Sequence, residues 1–328
     1  GDHGRRRFGR GDGTMCAHVI EKDCRVTMNP EDCARLLDDH PDYRVLRKLP
    51  NREVFEPAAA GSRLAKGIIL DTETTGLSSE ADRVIELGML LFEFDPVTGV
   101  VHRLVESFDQ LEDPGMPIPP ASTQVHHITD EMVKGLRIDD GEVARLLQGV
   151  SVVIAHNAGF DRPFVEQRWP QFETLQWACS LRDIDWQAEG FGSAKLEYLL
   201  YTQGLFYEAH RAETDCRALL ELLSRVLPNS QKTALLAMLE TLNQPQTRVY
   251  ALNSPFETKD SLKLRGYRWD GEMRCWHRTL SGPEALADEK AWLKKRVYGE
   301  RPATIETETL GGTVRYSNRT GQRQRVAI

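Results

Sequence analysis

The chain has 328 residues, 40% of them apolar and 28% charged, with a formal net charge of −7. That composition supports one or two packed cores in a globular protein. The acidic balance argues against broad, non-specific duplex binding, which needs many phosphate contacts, and no apolar run approaches the ~20 residues that span a bilayer.

In chain order, Gly1–Met15 is rich in Gly and Arg, carries Arg5-Arg6-Arg7, and is expected to be disordered. It shows no signal-peptide pattern, which sets the expectation of a cytoplasmic protein. The cysteines Cys16, Cys24, Cys33, Cys179, Cys216 and Cys275 form no C-x-x-C pair, so free thiols are expected rather than a zinc site. Asn29–His40 reads as a helix, with Asn29 as N-cap and Pro30 in the first turn. Tyr43–Pro50 is a strand or an extended arm. Pro57–Ser62 is a linker that closes an N-terminal extension of residues 1–62.

Gly67–Leu77, GIILDTETTGL, begins as a buried strand and ends in two acids, Asp71 and Glu73. Strand side chains alternate, so both carboxylates emerge on one face. Like charges so placed repel unless a proton or cation lies between them. A hard divalent cation with oxygen ligands, Mg²⁺ or Mn²⁺, fits that need. Arg83–Asp95, a turn at Asp95–Gly99 and Val100–Phe108 then predict two more strands of an antiparallel meander. Glu86 lies inside the apolar run and is expected to be held by hydrogen bonds, with a direct catalytic role as the alternative.

Asp113–Ala121 has too many prolines for regular structure. Short helices are expected from Thr129 and over Glu142–Leu147, and further helices over Arg162–Phe172 and Lys195–Gly204. Ser151–Asp161, SVVIAHNAGFD, reads as a strand running through His156 and Asn157 into Asp161, and Leu175–Leu181 as a fifth strand. His210 and Asp215 stand five residues apart at the start of the apolar-periodic Ala218–Leu227, about one and a half helical turns. The whole predicts an α/β fold, a mixed five-stranded sheet with helices on both faces.

DTETTG, HNAGFD and HRAETD, in that order between Lys66 and Leu227, resemble the three motifs of the DnaQ-like (DEDDh) 3′→5′ exonucleases. The resemblance implies a ribonuclease-H-like domain over residues 63–243. It implies that Asp71, Glu73, Asp161 and Asp215 hold two Mg²⁺ or Mn²⁺ ions. Asp71 would bridge them, with Glu73 and Asp215 on one side and Asp161 meeting the other ion mostly through water. His210, of the histidine branch, would be the general base that takes a proton from water. Thr74 and Gly76 resemble the groups that meet the terminal sugar and its 3′-hydroxyl. Leu77 and Phe160 are candidates to pack on the last base, or else ordinary core. His126, in V-H-H-I-T, matches a histidine near the terminal nucleotide, or else a loop histidine bonded to backbone; His127 stands where glycine is usual. Asn157 would brace its loop or reach a phosphate.

Beyond the Gln231–Leu242 helix, residues 244–300 predict a small α+β module. It contains Arg268, Trp269, Arg274, Trp276 and Arg278. Cations interleaved with aromatics suit a nucleic-acid surface; the two tryptophans equally suit a small core. Residues 301–328 read as a basic tail, with four arginines and no acid from Gly311 onward. The expected activity is metal-dependent 3′→5′ exonuclease action on DNA, of proofreading or repair type. The expected substrate is nucleic acid with a free 3′ end, single-stranded, and a polymerase or a second copy of the chain is the expected protein partner. Two alternatives stay open: an exoribonuclease or oligonucleotide-trimming enzyme, and a non-catalytic binding scaffold.

Overall fold

The computed structural model describes residues 29–328, so the expectation for Gly1–Met15, and Cys16 and Cys24 with it, lies outside the described residues. The chain divides into two units, Gly1–Leu46 and Arg47–Ile328. In the first, α1 spans Pro30–Asp38, and the Asn29 side chain accepts the Asp32 N–H at 2.8 Å, satisfying an orphan donor of the first turn.

The second unit begins with β1 (Arg47–Lys48), β2 (Ala65–Thr74), β3 (Val84–Phe94) and β4 (Val101–Leu111). The helices α2 (Pro120–His126), α3 (Asp130–Val133) and α4 (Asp140–Leu146) lead to β5 (Val150–Ala155) and α5 (Ala158–Arg168). Then come β6 (Trp177–Cys179), α6 (Leu196–Thr202), β7 (Leu205–Phe206), α7 (Ala212–Ser224) and α8 (Ala234–Leu242). The main sheet has the order β4-β3-β2-β5-β6. Its first three strands form the expected antiparallel meander, and β5 and β6 join in parallel. The Tyr43–Pro50 stretch supplies β1, which pairs with β7.

Alternation along β2 divides the core. Ile69 packs with Leu90, Phe92 and the apolar face of α7. Ile68 and Leu70 pack on the other side with Met89, Val143, Phe164 and Val165. Each such side chain, fully buried, contributes ~1.5–3 kcal/mol. The sheet is thus covered on both faces, and its acids are held on a rigid central strand.

Two expected local structures are corrected. The HNAGFD strand stops at Ala155; Asn157 takes a left-handed φ of 79° and opens α5, so Asp161 sits in the first helical turn. Asparagine tolerates that conformation and breaks the ladder. His210 likewise has φ 69° and precedes α7, so its five-residue offset from Asp215 is a loop-to-helix spacing rather than a helical one.

Gly88 pairs with Asp71 across β2 and β3. A Cβ there would stand 2.5 Å from the Ala212 carbonyl carbon and 2.6 Å from the Glu213 nitrogen. The missing side chain lets α7 lie directly on β3 and brings Asp215 to Asp71. Gly88→Ala should therefore cost ~1–3 kcal/mol of stability. A thermal melt checks this; a wild-type melting temperature would show that the close approach is dispensable.

The C-terminal sheet comprises β8 (Gln246–Ala251), β9 (Arg268–Asp270), β10 (Cys275–Ser281), β11 (Thr304–Leu310) and β12 (Gln322–Ala327). Its order is β12-β11-β8-β10-β9, antiparallel throughout. The helices α9 (Lys259–Leu264) and α10 (Pro283–Trp292) accompany it. Its core is Val249, Ala251, Leu262, Tyr267, Leu280, Leu293, Val297 and Ile305. Of the tryptophans proposed for that core, Trp276 is half-buried against it and Trp269 is 52% exposed, edge-on to Trp276 at 5.4 Å.

The segment expected as a flexible basic tail is built into the fold. Arg315 is buried against Asp183, Arg319 reaches Glu166 at 2.8 Å, and Arg323 and Arg325 face Glu306 of β11. Arg315 and Arg319 find their carboxylates in the catalytic domain, and Arg323 and Arg325 find theirs on the neighbouring strand β11, pairings that local composition cannot reveal. Arg162, fully buried in α5, donates to the carbonyls of Gly312 (3.0 Å), Thr313 and Arg315 (2.6 Å) and pairs with Glu166 at 2.6 Å. Burial pulls its pKa down to about 10 against the support of Glu166. The Gly312 carbonyl also accepts the Trp177 N–H at 3.0 Å.

Candidate active site

Asp71 and Glu73 leave β2 on the same side, as the strand period requires. Asp215 arrives from the first turn of α7, and one carboxylate oxygen from each of the three lies within 4.8 Å of the others. Asp161 is 2% exposed and stands outside that trio; Thr72 donates its N–H at 3.0 Å and its hydroxyl at 2.8 Å to Asp161 Oδ1. The residue between the two acids on β2 thereby orients the acid of the second motif.

Asp215 is held from several sides. Its Oδ2 accepts the main-chain N–H of His210 (2.7 Å) and of Arg211 (3.2 Å), and its Oδ1 accepts the Tyr207 hydroxyl at 3.2 Å. Glu86 pairs with Glu73 in the strand register and is fully buried. It accepts Arg211 Nη2 at 2.7 Å and the Ala212 N–H at 3.1 Å, so it anchors the start of α7 as its apolar setting predicts.

Burial is the largest influence on each of the four acids. It pushes Asp71 well above the carboxylate range, with further repulsion from Asp161, Asp215 and Glu73. Glu73 is pushed up to about 8 by burial, then by Asp215 and Glu86, with Arg211 opposing. Asp161 rises to about 7 by burial despite the Thr72 bonds. Asp215 is raised by burial, and the His210 N–H and imidazole pull it back. A cluster of hard oxygen donors whose ionised forms repel one another suits a divalent cation, so the residues fit Mg²⁺ or Mn²⁺.

The other predicted positions divide. Thr74 is buried and its hydroxyl donates to the Gly76 carbonyl at 2.6 Å. Gly76 lies against the Asp82 carboxylate with no room for a Cβ. Leu77 is 88% exposed and belongs to no core. Phe160 is half-buried, tilted on Phe164 at 5.1 Å, at the edge of the core that also holds Tyr316. Asn157 caps no N–H with its side chain; its carbonyl accepts the Phe160 N–H at 2.8 Å. His126 is buried, its Nδ1 accepts the Ile128 N–H at 3.0 Å, and its Nε2 has no hydrogen-bond partner. His127 has φ 61°, the conformation that glycine takes most readily. His210 is exposed beside Asp215. His156, bonded to the Ser180 hydroxyl and the Ala194 carbonyl at 2.9 Å each, is a structural histidine, pushed down to about 4 by burial.

Sequence reasoning missed Tyr207, Thr72 and Arg211. Nothing in their spacing marks them. Only the Glu86 carboxylate, odd in an apolar strand, signals that a cation must come to it.

Sheet order, two-sided helical cover and an acid trio at the end of the central strand define a ribonuclease-H-like domain with a nuclease-type acidic site. A family model described as Exonuclease (RNase_T) matches residues 68–223. The chain is 32% identical over 172 residues to the DNA polymerase III subunit epsilon of Treponema pallidum (strain Nichols), covering 49% of this chain and 76% of that protein. It is 28% identical over 189 residues to the PolC-type DNA polymerase III of Clostridium perfringens (strain 13 / Type A), covering 54% of this chain but only 12% of that one. It also aligns with the solved structure of exonuclease X in complex with 5′ overhanging duplex DNA at 24% identity and a TM-score of 0.36, covering 52% of this chain and 99% of that one. The chain belongs to the DnaQ-like exonuclease family.

Proposed function

We propose that the chain removes nucleotides one at a time from the 3′ end of single-stranded DNA, with Asp71, Glu73, Asp161 and Asp215 holding two Mg²⁺ or Mn²⁺ ions. The observation that carries this is the convergence of Asp71, Glu73 and Asp215 within 4.8 Å, with Asp161 aligned beside them by Thr72. Two divalent ions, when bound, supply a nucleophile active near neutral pH and charge to offset that on the phosphate and leaving oxygen.

The protein's own groups do the rest. His210 accepts the proton of the attacking water at its imidazole, from an exposed site beside Asp215. Tyr207 and the His210 and Arg211 N–H groups fix the Asp215 carboxylate. The water oxygen bonds to phosphorus as the bond from phosphorus to the 3′-oxygen breaks, and that oxygen takes a proton from solvent, leaving a shortened strand with a 3′-hydroxyl and a nucleoside 5′-monophosphate. Thr74, Gly76, Leu77, His126, Asn157 and Phe160 are proposed to receive the terminal nucleotide, with Phe160 and Leu77 offering apolar surface to its base. The relatives named as polymerase III subunits support a polymerase as the protein partner.

Digestion of 5′-labelled single-stranded DNA and RNA in Mg²⁺ tests the reading. A ladder shortening from the 3′ end, faster on DNA, is expected, and His210→Gln should slow it by ~10²–10⁴-fold. Faster digestion of RNA would move the assignment to an exoribonuclease, and no digestion of either would remove it.

A further inference from the structure

A cleft of about 520 Å³ separates the open face of the C-terminal sheet from the catalytic domain. One face of that sheet carries Val249, Ala251, Leu280 and Ile305 into its own core. Arg248, Arg268 and His277, which the register places on the opposite face, line the cleft. Arg182 of the catalytic domain and Arg278 of β10 also line it. The lining carboxylate, Asp183, is occupied by Arg315 and the Tyr316 hydroxyl. Arg278 shares Glu289 at 2.9 Å and Arg248 stands 3.8 Å from Glu308. Arg182 and Arg268 are exposed and have no carboxylate partner among the described residues. In a chain of net charge −7, so many arginines around one cleft mark an anion track.

The first turn of α5 lies between the cleft and the acids. The first turn of α5 presents Gly159 to the cleft and carries Asp161 into the site, so the two are separated by about one helix diameter, ~10 Å. Asn318, on the cleft wall, reaches Ser79 in the loop that follows Leu77 at 3.4 Å. We infer that this cleft holds the phosphate backbone of single-stranded DNA a few nucleotides upstream of the 3′ end being cut. The inference rests on the 3′-exonuclease reading above, and it gives the C-terminal module the task of gripping the strand.

The test is the double variant Arg182→Glu/Arg268→Glu in the full chain, with 5′-labelled dT3 and dT20 in Mg²⁺. Both positions are exposed, and a melt at the wild-type temperature confirms folding. For dT20, KM should rise by about tenfold or more with kcat unchanged, and the salt dependence of log KM should lose a slope of about 1–2, for two lost phosphate contacts. For dT3, too short to fill the cleft, both constants should stay at wild-type values. An unchanged KM for dT20 would overturn the cleft while leaving the exonuclease reading intact. Wild-type protein that degrades neither oligonucleotide would overturn the exonuclease reading itself. A rise confined to an rU20 substrate would overturn the assignment to DNA.

Discussion

Asp71→Asn should lower exonuclease turnover by at least ~10²–10³-fold, the scale on which losing one preorganised charge-stabilising group is felt. Asp71 is the acid against which burial and four other carboxylates act together, and it lies opposite Gly88, over which the start of α7 is packed. The substitution keeps volume and shape, so folding should not suffer. Removing one of several repelling charges should leave the metal-free melting temperature unchanged or raised. Measured together, activity and melting separate a ligand from a structural residue. A variant that keeps wild-type turnover in Mg²⁺ would show that the acid trio is not the reaction centre.

The second large effect concerns pH. Folding raises the pKa of all four acids, Glu73 to about 8 and Asp161 to about 7. A carboxyl with a raised folded-state pKa stabilises the fold fully below its unfolded value, near 4, and that contribution is lost as pH rises through the folded value. Metal-free protein should therefore lose melting temperature between pH 5 and pH 9. Mg²⁺ or Mn²⁺ should reverse the loss, most at the alkaline end, because the cation favours the ionised acids. At a hundredfold excess over Kd the gain is about 2.7 kcal/mol, a rise of several degrees in a chain of this size. Calorimetry across that pH range, with EDTA or with metal, measures it. A metal-free melting temperature that climbs with pH, together with indifference to the cations, would contradict the proposed site.

How much of this was legible in the chain follows from where the information sits. Asp71 and Glu73 could be placed on one face because strand alternation is local and fixed. The meander and the parallel strands followed from apolar runs and turn residues in the same way. Asp161 and His210 were singled out but put on the wrong elements, because left-handed residues at Asn157 and His210 redirect the backbone and neither is glycine. Thr72, Tyr207 and Arg211 were invisible because their roles exist only once β2, β3 and α7 are assembled. The C-terminal arginines were read as a solvated run, since Asp183 and Glu166 lie far off in sequence and Glu306 comes opposite only once β11 and β12 pair.

The loop between β11 and β12, threaded under Arg162, has a bearing on how this molecule can be cut. A catalytic fragment ending before Gly311 would keep the Arg162 guanidinium interred while stripping three carbonyls from it, and it would bare the outer margin of β6. The charge keeps Glu166, but each guanidinium N–H left buried without an acceptor costs ~1–3 kcal/mol. The catalytic portion and its companion sheet are therefore expected to melt as a single cooperative block, and neither is an independently excisable piece.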